Sequence, residues 1–404
     1  MSKIAWLDYD GAAREKALQL LSAFQEKESV DELGLGTIRD ALSDKMFPGT
    51  STLMTRLRYM LFVPWIFKRL EDERVYTNSF LRRADDDERN LVRVLKAKYG
   101  LEGGVIGARS GEFVKRLPSD IYWAGLRVWG IRQKDISIDE YGNGISSWYA
   151  ELNAFKRSRR RSMDQAEDLG SADAVEGMWC KTLPKMPNDF PRQASFDLTK
   201  IEALFLKEHI LRNCQGSVLA TLASGRYAVN VEFPWMLDLP EHRVVIHHAK
   251  MFALVMNGAT ILYNVLLSRH CNATIANDKS SEWVANHEAE WKEWLDTVSG
   301  LDVASWNLEG LFDMTPRVPR KTKEFVRYWV ALIRNGPVRL LESNEVGKQI
   351  RYREEVLKGK ERSRFINRKA LEQWNANKTI LPFNYRWHRV SRLVADLYAG
   401  LEAK

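Results

Sequence analysis

From Met251 to Leu267 the chain runs about 17 residues without a charge, and this run limits the possible folds more than any other segment. Asn257, Gly258, Thr260 and Asn264 interrupt it, whereas a transmembrane helix wants about 20 cleaner residues. The expected outcome is a helix sunk in a protein core and covered on every side, not a membrane span. Covering it takes many bulky side chains. The 404-residue sequence supplies them, with 45% hydrophobic residues and 14 Trp against only 12 Pro and 24 Gly. The same figures exclude collagen-like, mucin-like and acidic disordered classes. The length suits two or three domains, each with its own core.

Elsewhere the pattern is helical. Apolar residues recur at spacings of three and four over Gly11–Glu28, Asp85–Tyr99, Leu198–Leu211, Arg243–Ser268, Ser281–Leu295, Lys321–Ile333 and Tyr385–Leu401. Thr37 is expected to cap a short helix, and Ser51 or Thr52 to start a longer one that Pro64 kinks without ending. Pro118-Ser119-Asp120 opens another helix, after a glycine-containing turn or short hairpin between Gly103 and Gly111. That succession suits a winged-helix-like unit or any compact helical domain. Asn230–Phe233 is the one weak strand in the second half. The expected fold is mostly α and multi-helical, in two to three domains. The expected parts are a helical domain over 1–155, a basic, Pro-containing linker over 156–195, a central helical domain over 196–315 and a basic helical module over 316–404.

Three cysteines, odd in number and without CxxC spacing, fit a reducing compartment and no structural zinc site. The start of the chain meets Asp8 before any apolar run, so no signal peptide is expected and the protein is read as cytoplasmic.

The net charge of +8 is unevenly distributed. Residues 316–404 hold 21 Lys plus Arg against 9 Asp plus Glu, while 281–315 hold one Lys against eight acids. Within the basic module, Lys358, Lys360, Arg362, Arg364, Arg368 and Lys369 lie within twelve residues, with Phe365 and Trp374 interleaved. Such a stripe suits a phosphate backbone, since each neutralised phosphate releases counterions, and the aromatics suit stacking on unpaired bases. A second run, Lys156, Arg157, Arg159, Arg160 and Arg161, has the same chemistry. The alternative for both is a solvated helix face, or pairing with the acids of 281–315. Trp283, Trp291 and Trp294 share one helical face and, with Trp329, Trp374 and Trp387, are expected in the core or in a partner-packing surface.

Catalytic patterns are missing. His287-Glu288 lacks the second His of a helical zinc site, and the neighbours His247 and His248 diverge by about 100° on a helix. Asp278 with Glu290-Trp291-Lys292 matches the letters of a nuclease metal site, but in a helical pattern. Gly347-Lys348 and Gly359-Lys360 lack the rest of a phosphate loop, and neither Ser51 nor Ser110 sits in a GxSxG elbow. No cofactor or metal is expected.

The block Ile4–Asp8, Asp31-Glu32-Leu33-Gly34-Leu35-Gly36-Thr37-Ile38-Arg39-Asp40, Phe47-Pro48-Gly49-Thr50-Ser51-Thr52, Thr55–Tyr59, Phe62–Trp65 and Leu117–Tyr122 resembles a bacterial family described only as a domain of unknown function. The resemblance covers roughly the first 130 residues closely. It implies a setting beside helicases and nucleases in phage-defence islands, and carries over no catalytic residue. The Gly34–Thr37 and Phe47–Thr52 loops, with Arg39, Arg56 and Arg58, then stand as a candidate phosphate or partner site, or as plain turns and caps. The resulting expectation is a non-catalytic subunit of an anti-phage complex, contacting DNA or a nucleoprotein and a helicase or nuclease partner through its basic C-terminal module, with no membrane role. The alternatives are a metal-dependent nuclease and a purely protein-binding scaffold.

Overall fold

A computed structural model describes residues 31–110, 114–164, 177–275 and 279–403. The first helices are α1 (Gly36–Met46), α2 (Tyr59–Asp72), α3 (Thr77–Tyr99), α4 (Pro118–Val128) and α5 (Ile138–Asp164). Next come α6 (Lys200–Asn213), α7 (Val218–Ser224), α8 (Arg243–Ile275), α9 (Ser280–Ser299) and α10 (Leu308–Met314). The last are α11 (Arg320–Arg334), α12 (Asn344–Lys358), α13 (Arg368–Glu372) and α14 (Trp387–Glu402). The fold is mostly α, as expected. Among the described residues there is no strand, only an isolated bridge between Arg132 and Trp179. Asn230–Phe233 stays irregular: Val231 gives its carbonyl to the Trp387 indole N–H at 2.8 Å, not to a neighbouring strand. The 103–110 segment is turns, with no hairpin to serve as a wing. The expected Gly11–Glu28 helix and the Ile4–Asp8 motif lie outside the described residues.

The chain divides into two compact units, one built from the segment ending at Leu42 and Val244–Tyr385, the other from Ser43–Arg243 and Arg386 onward.

The first unit is organised around α8. Of its most apolar 18-residue window, 83% is buried inside the protein, so the charge-free run is a core helix. Tryptophans cover it and also satisfy it. Trp294 donates its indole N–H to Leu254 O at 2.8 Å, and Trp329 to Val255 O at 2.9 Å. Trp306 donates to His248 Nδ1 at 3.0 Å and Trp374 to Asn264 Oδ1 at 3.2 Å. An indole suits this place because its large apolar ring fills the core while its single N–H needs an acceptor there. α11 buries Phe325, Val326, Trp329, Val330 and Ile333 along one stripe and leaves Arg320, Lys321 and Arg327 outside. The entry to α1 is capped by Asp31, which accepts from Leu35 N at 2.6 Å and Gly36 N at 2.7 Å. Asp31 replaces Thr37, which is exposed, because the Gly34 turn brings its carboxylate over the first helical N–H groups.

The second unit has two aromatic clusters. Phe62 stacks on Phe190 at 5.5 Å, next to Trp65, Tyr59 and Phe196. Phe67 lies among Trp123, Tyr141, Phe80 and Trp179. Pro64 sits inside α2, which continues past it. That helix starts at Tyr59, later than Ser51 or Thr52 suggests, because the Thr55 and Arg56 N–H groups bond the Tyr122 hydroxyl from α4 instead of a preceding helical turn. Gly49 (φ +76°) closes a turn in which a Cβ would come within 2.5 Å of the Trp129 indole nitrogen, which donates to Pro48 O. α14 packs closely on the start of α6, where a Cβ on Gly400 would meet Leu198 Cβ at 2.7 Å and Ala203 Cβ at 2.8 Å. α6 carries a complete capping box between Thr199 and Glu202.

Candidate nucleic-acid interface

The basic stretch at the C-terminal end of α12 divides into an inward and an outward set. Glu354 on α12 is fully buried and accepts from the Tyr263 hydroxyl at 2.8 Å, the Ser363 hydroxyl at 2.5 Å, Lys358 Nζ at 3.1 Å and the Arg364 backbone N–H at 3.1 Å. Glu32, from the DELGLG block, pairs with both Lys358 and Arg364. The side chains of Lys358 and Arg364 are only 14% and 17% exposed. Two of the six expected contact residues are therefore enclosed in an ion-pair core, because Gly359 (φ +74°) turns the chain back and seats Ser363 against Glu354.

Lys360, Arg362, Arg368 and Lys369 are exposed. Arg368 pairs with Glu372 one turn along α13 at 3.0 Å, an exposed pair of little energetic weight. Arg362 donates to Lys358 O, and Lys360 and Lys369 have no carboxylate partner among the described residues. Lys348 and Arg351 add exposed cations on α12. Between them and the α12 end stands Tyr352, 63% exposed. Sequence reasoning passed over Tyr352, yet it is two residues from the buried Ile350, about 200° round a helix, and that spacing points it outward.

The aromatics expected to stack on bases are occupied. Phe365 meets Tyr263 edge-on at 5.7 Å with Arg351 over its ring, and Trp374 packs on His287 and Trp283. None of the described tryptophans is exposed. The acidic stretch 281–315 reaches the basic module through Glu309, which holds Arg327 at 2.8 Å, while its Glu288 pairs with Arg269 of α8.

The run Lys156–Arg161 continues α5 as helix, since Lys and Arg are good helix formers and no Gly or Pro intervenes. Arg157 is exposed. The side chains of Lys156, Arg159, Arg160 and Arg161 lie outside the described residues.

The remaining candidates separate in space. The Gly34–Thr37 turn is filled by Arg353, which donates to Leu33 O at 3.0 Å and would clash with a Gly34 Cβ at 2.7 Å. Arg39 pairs with Asp40. Arg58 is buried against Glu202 at 2.7 Å and Ser195 O at 2.9 Å. Arg56 pairs with Asp396. His242 bonds Thr221, His247 is exposed, and His248 is buried against Trp306. Among the described residues no three His, Cys, Asp or Glu side chains gather as a metal set. Glu290 of the nuclease-like letters lies on helix α9, half-buried, its carboxyl raised to about 7 by burial, while Asp278 lies outside the described residues.

The model of the DUF6361 family, a family of unknown function, matches residues 1–148 and 160–400. The chain belongs to that family. No curated protein and no solved structure matches it. DUF6361 membership agrees with the resemblance seen in the N-terminal block and extends it over nearly the whole chain.

Proposed function

We propose that this DUF6361 protein is a cytoplasmic, non-catalytic subunit of a bacterial anti-phage complex that contacts nucleic acid through the exposed cations around α12 and α13. The observation that carries the reading is the outward set: Lys348, Lys360, Arg362 and Lys369 are exposed and hold no carboxylate among the described residues. Exposed cations that no described carboxylate neutralises are available to phosphates, unlike Lys358 and Arg364. The defence setting and a helicase or nuclease partner come from the family resemblance.

The test is fluorescence anisotropy with a labelled duplex and a labelled single strand over a salt series. Binding should weaken steeply as salt rises. The triple variant Lys360→Glu, Arg362→Glu, Lys369→Glu should lose most affinity and flatten the salt slope. No binding by the wild-type chain at low salt sinks the nucleic-acid reading and leaves the scaffold. Sequencing the neighbouring genes checks the setting: a solitary gene counts against a defence complex.

A further inference from the structure

Lys358 and Arg364 share a carboxylate that comes from far away in the chain, since Glu32 pairs with both. Behind them the first unit holds a second acceptor that places them without it. Glu354, fully buried, accepts from Lys358 Nζ at 3.1 Å and from the Arg364 backbone N–H at 3.1 Å. The Tyr263 hydroxyl, which donates to Glu354, accepts from Arg364 Nη1 at 3.2 Å and from Lys358 Nζ at 3.4 Å.

Glu32 is not needed by its own segment either. Asp31 caps α1, Arg353 donates to Leu33 O at 3.0 Å, and Leu33 and Leu35 are each 1% exposed. The main chain is thus fixed around a side chain that is 13% exposed and bonds only Lys358 and Arg364 among the described residues. The Glu32 carboxylate can leave by rotating its own side chain, with the segment in place.

What it would leave behind suits a phosphate. Arg364 uses Nη1 for both Glu32 and Tyr263, and its Nε and Nη2 have no acceptor among the described residues. The second edge of the fork is therefore open, and arginine binds phosphate oxygens in pairs. Charge matches as well: Lys358 and Arg364 balance Glu354 and Glu32, so a backbone phosphate with its single negative charge replaces Glu32 and leaves nothing unmatched. The place borders the outward set. Arg362 folds back to donate to Lys358 O at 3.1 Å, and Lys360 lies two residues from Lys358.

We infer that Lys358 and Arg364 form a seat for one backbone phosphate of a nucleic acid, and that Glu32 is its built-in occupant, displaced when the nucleic acid binds. The seat rests on the nucleic-acid reading of the α12 surface and supplies a control on it. A seat filled by the chain's own carboxylate lowers the apparent affinity according to the fraction of time it is filled.

The test is fluorescence anisotropy of the full chain with a labelled duplex over a salt series. Glu32→Gln should bind at least about threefold more tightly than wild type at fixed salt, and its log affinity against log salt should steepen by about 0.9, one further phosphate. Arg364→Gln should change wild-type affinity by less than about twofold, yet abolish the gain when added to Glu32→Gln. Melting curves without nucleic acid accompany each variant. A lower melting temperature for Glu32→Gln with unchanged affinity marks a purely structural pair and refutes the seat. Equal losses from Arg364→Gln in both backgrounds mark long-range charge alone and refute it too. If a glutamine variant does not fold, Glu32→Asp or Arg364→Lys replaces it: the first is too short to reach both cations, the second keeps the charge but loses the fork, and the same outcomes apply. Binding by wild type with no gain in Glu32→Gln overturns the seat and leaves the nucleic-acid reading standing. Binding by Glu32→Gln alone upholds the seat and overturns the reading that the outward cations suffice, and no binding by either removes both.

Discussion

Trp294 lies flat against Gly258: a Cβ on that glycine would sit 2.2 Å from the indole ring, which also donates its N–H to Leu254 O, one helical turn back. The glycine inside the charge-free helix is thus a seat for a tryptophan from α9.

Gly258→Ala should cost about 1–3 kcal/mol through overpacking, although Ala favours helix over Gly by about 1 kcal/mol. The matching control is Gly144→Ala on the exposed part of α5, where a Cβ meets nothing within 4 Å. That change should stabilise by about 0.5–1 kcal/mol. Urea unfolding followed by tryptophan fluorescence checks both, and equal effects would refute the seat.

Glu88 is buried, accepts from Ser119 N at 2.8 Å, and has its carboxyl raised to about 8, chiefly by burial and further by Asp120 and Asp85. A carboxyl raised in the folded state contributes stability that is present below its unfolded value near 4.5 and is lost as pH climbs to about 8. The slope over that window is roughly 1.4 kcal/mol per pH unit for this one group. Glu88→Gln keeps an acceptor without the charge. Its stability relative to wild type should therefore improve between pH 5 and pH 8, as read by denaturant titration at each pH.

Arg58 and Glu202 form a pair whose side chains are 9% and 5% exposed. Arg58→Ala strands a buried carboxylate and should cost about 3–5 kcal/mol, whereas the double change Arg58→Met, Glu202→Leu should cost clearly less. A double-mutant cycle measures the difference.

Lys358 and Lys360 stand two residues apart and should behave oppositely. Lys358→Glu places a third acid beside Glu32 and Glu354 and should lower the melting temperature by many degrees. Lys360→Glu, on an exposed residue, should shift stability by less than about 0.5 kcal/mol while weakening nucleic-acid binding.

Much of the helical framework is legible from periodicity. The predicted Arg243–Ser268, Ser281–Leu295 and Lys321–Ile333 segments appear as α8, α9 and α11 with boundaries extended by a few residues. The core position of Met251–Leu267 follows from its lack of charge. The candidate surface is less legible. Lys358 and Lys360 look alike in sequence, and the Gly359 turn and the distant Glu32 separate them. Phe365 and Trp374 look like stacking platforms, but Tyr263 and His287 already occupy them.

By itself, then, the sequence determined that the protein is mostly helical, that α8 is buried and that positive charge gathers near the C-terminus, because these depend on local period and composition. Only the tertiary structure decided which cations stay exposed and which are enclosed in ion pairs. Those outcomes depend on partners such as Glu32 and Asp396, more than 300 positions away from the cations they hold. No local pattern encodes a pairing across that separation; it exists only once the chain has folded.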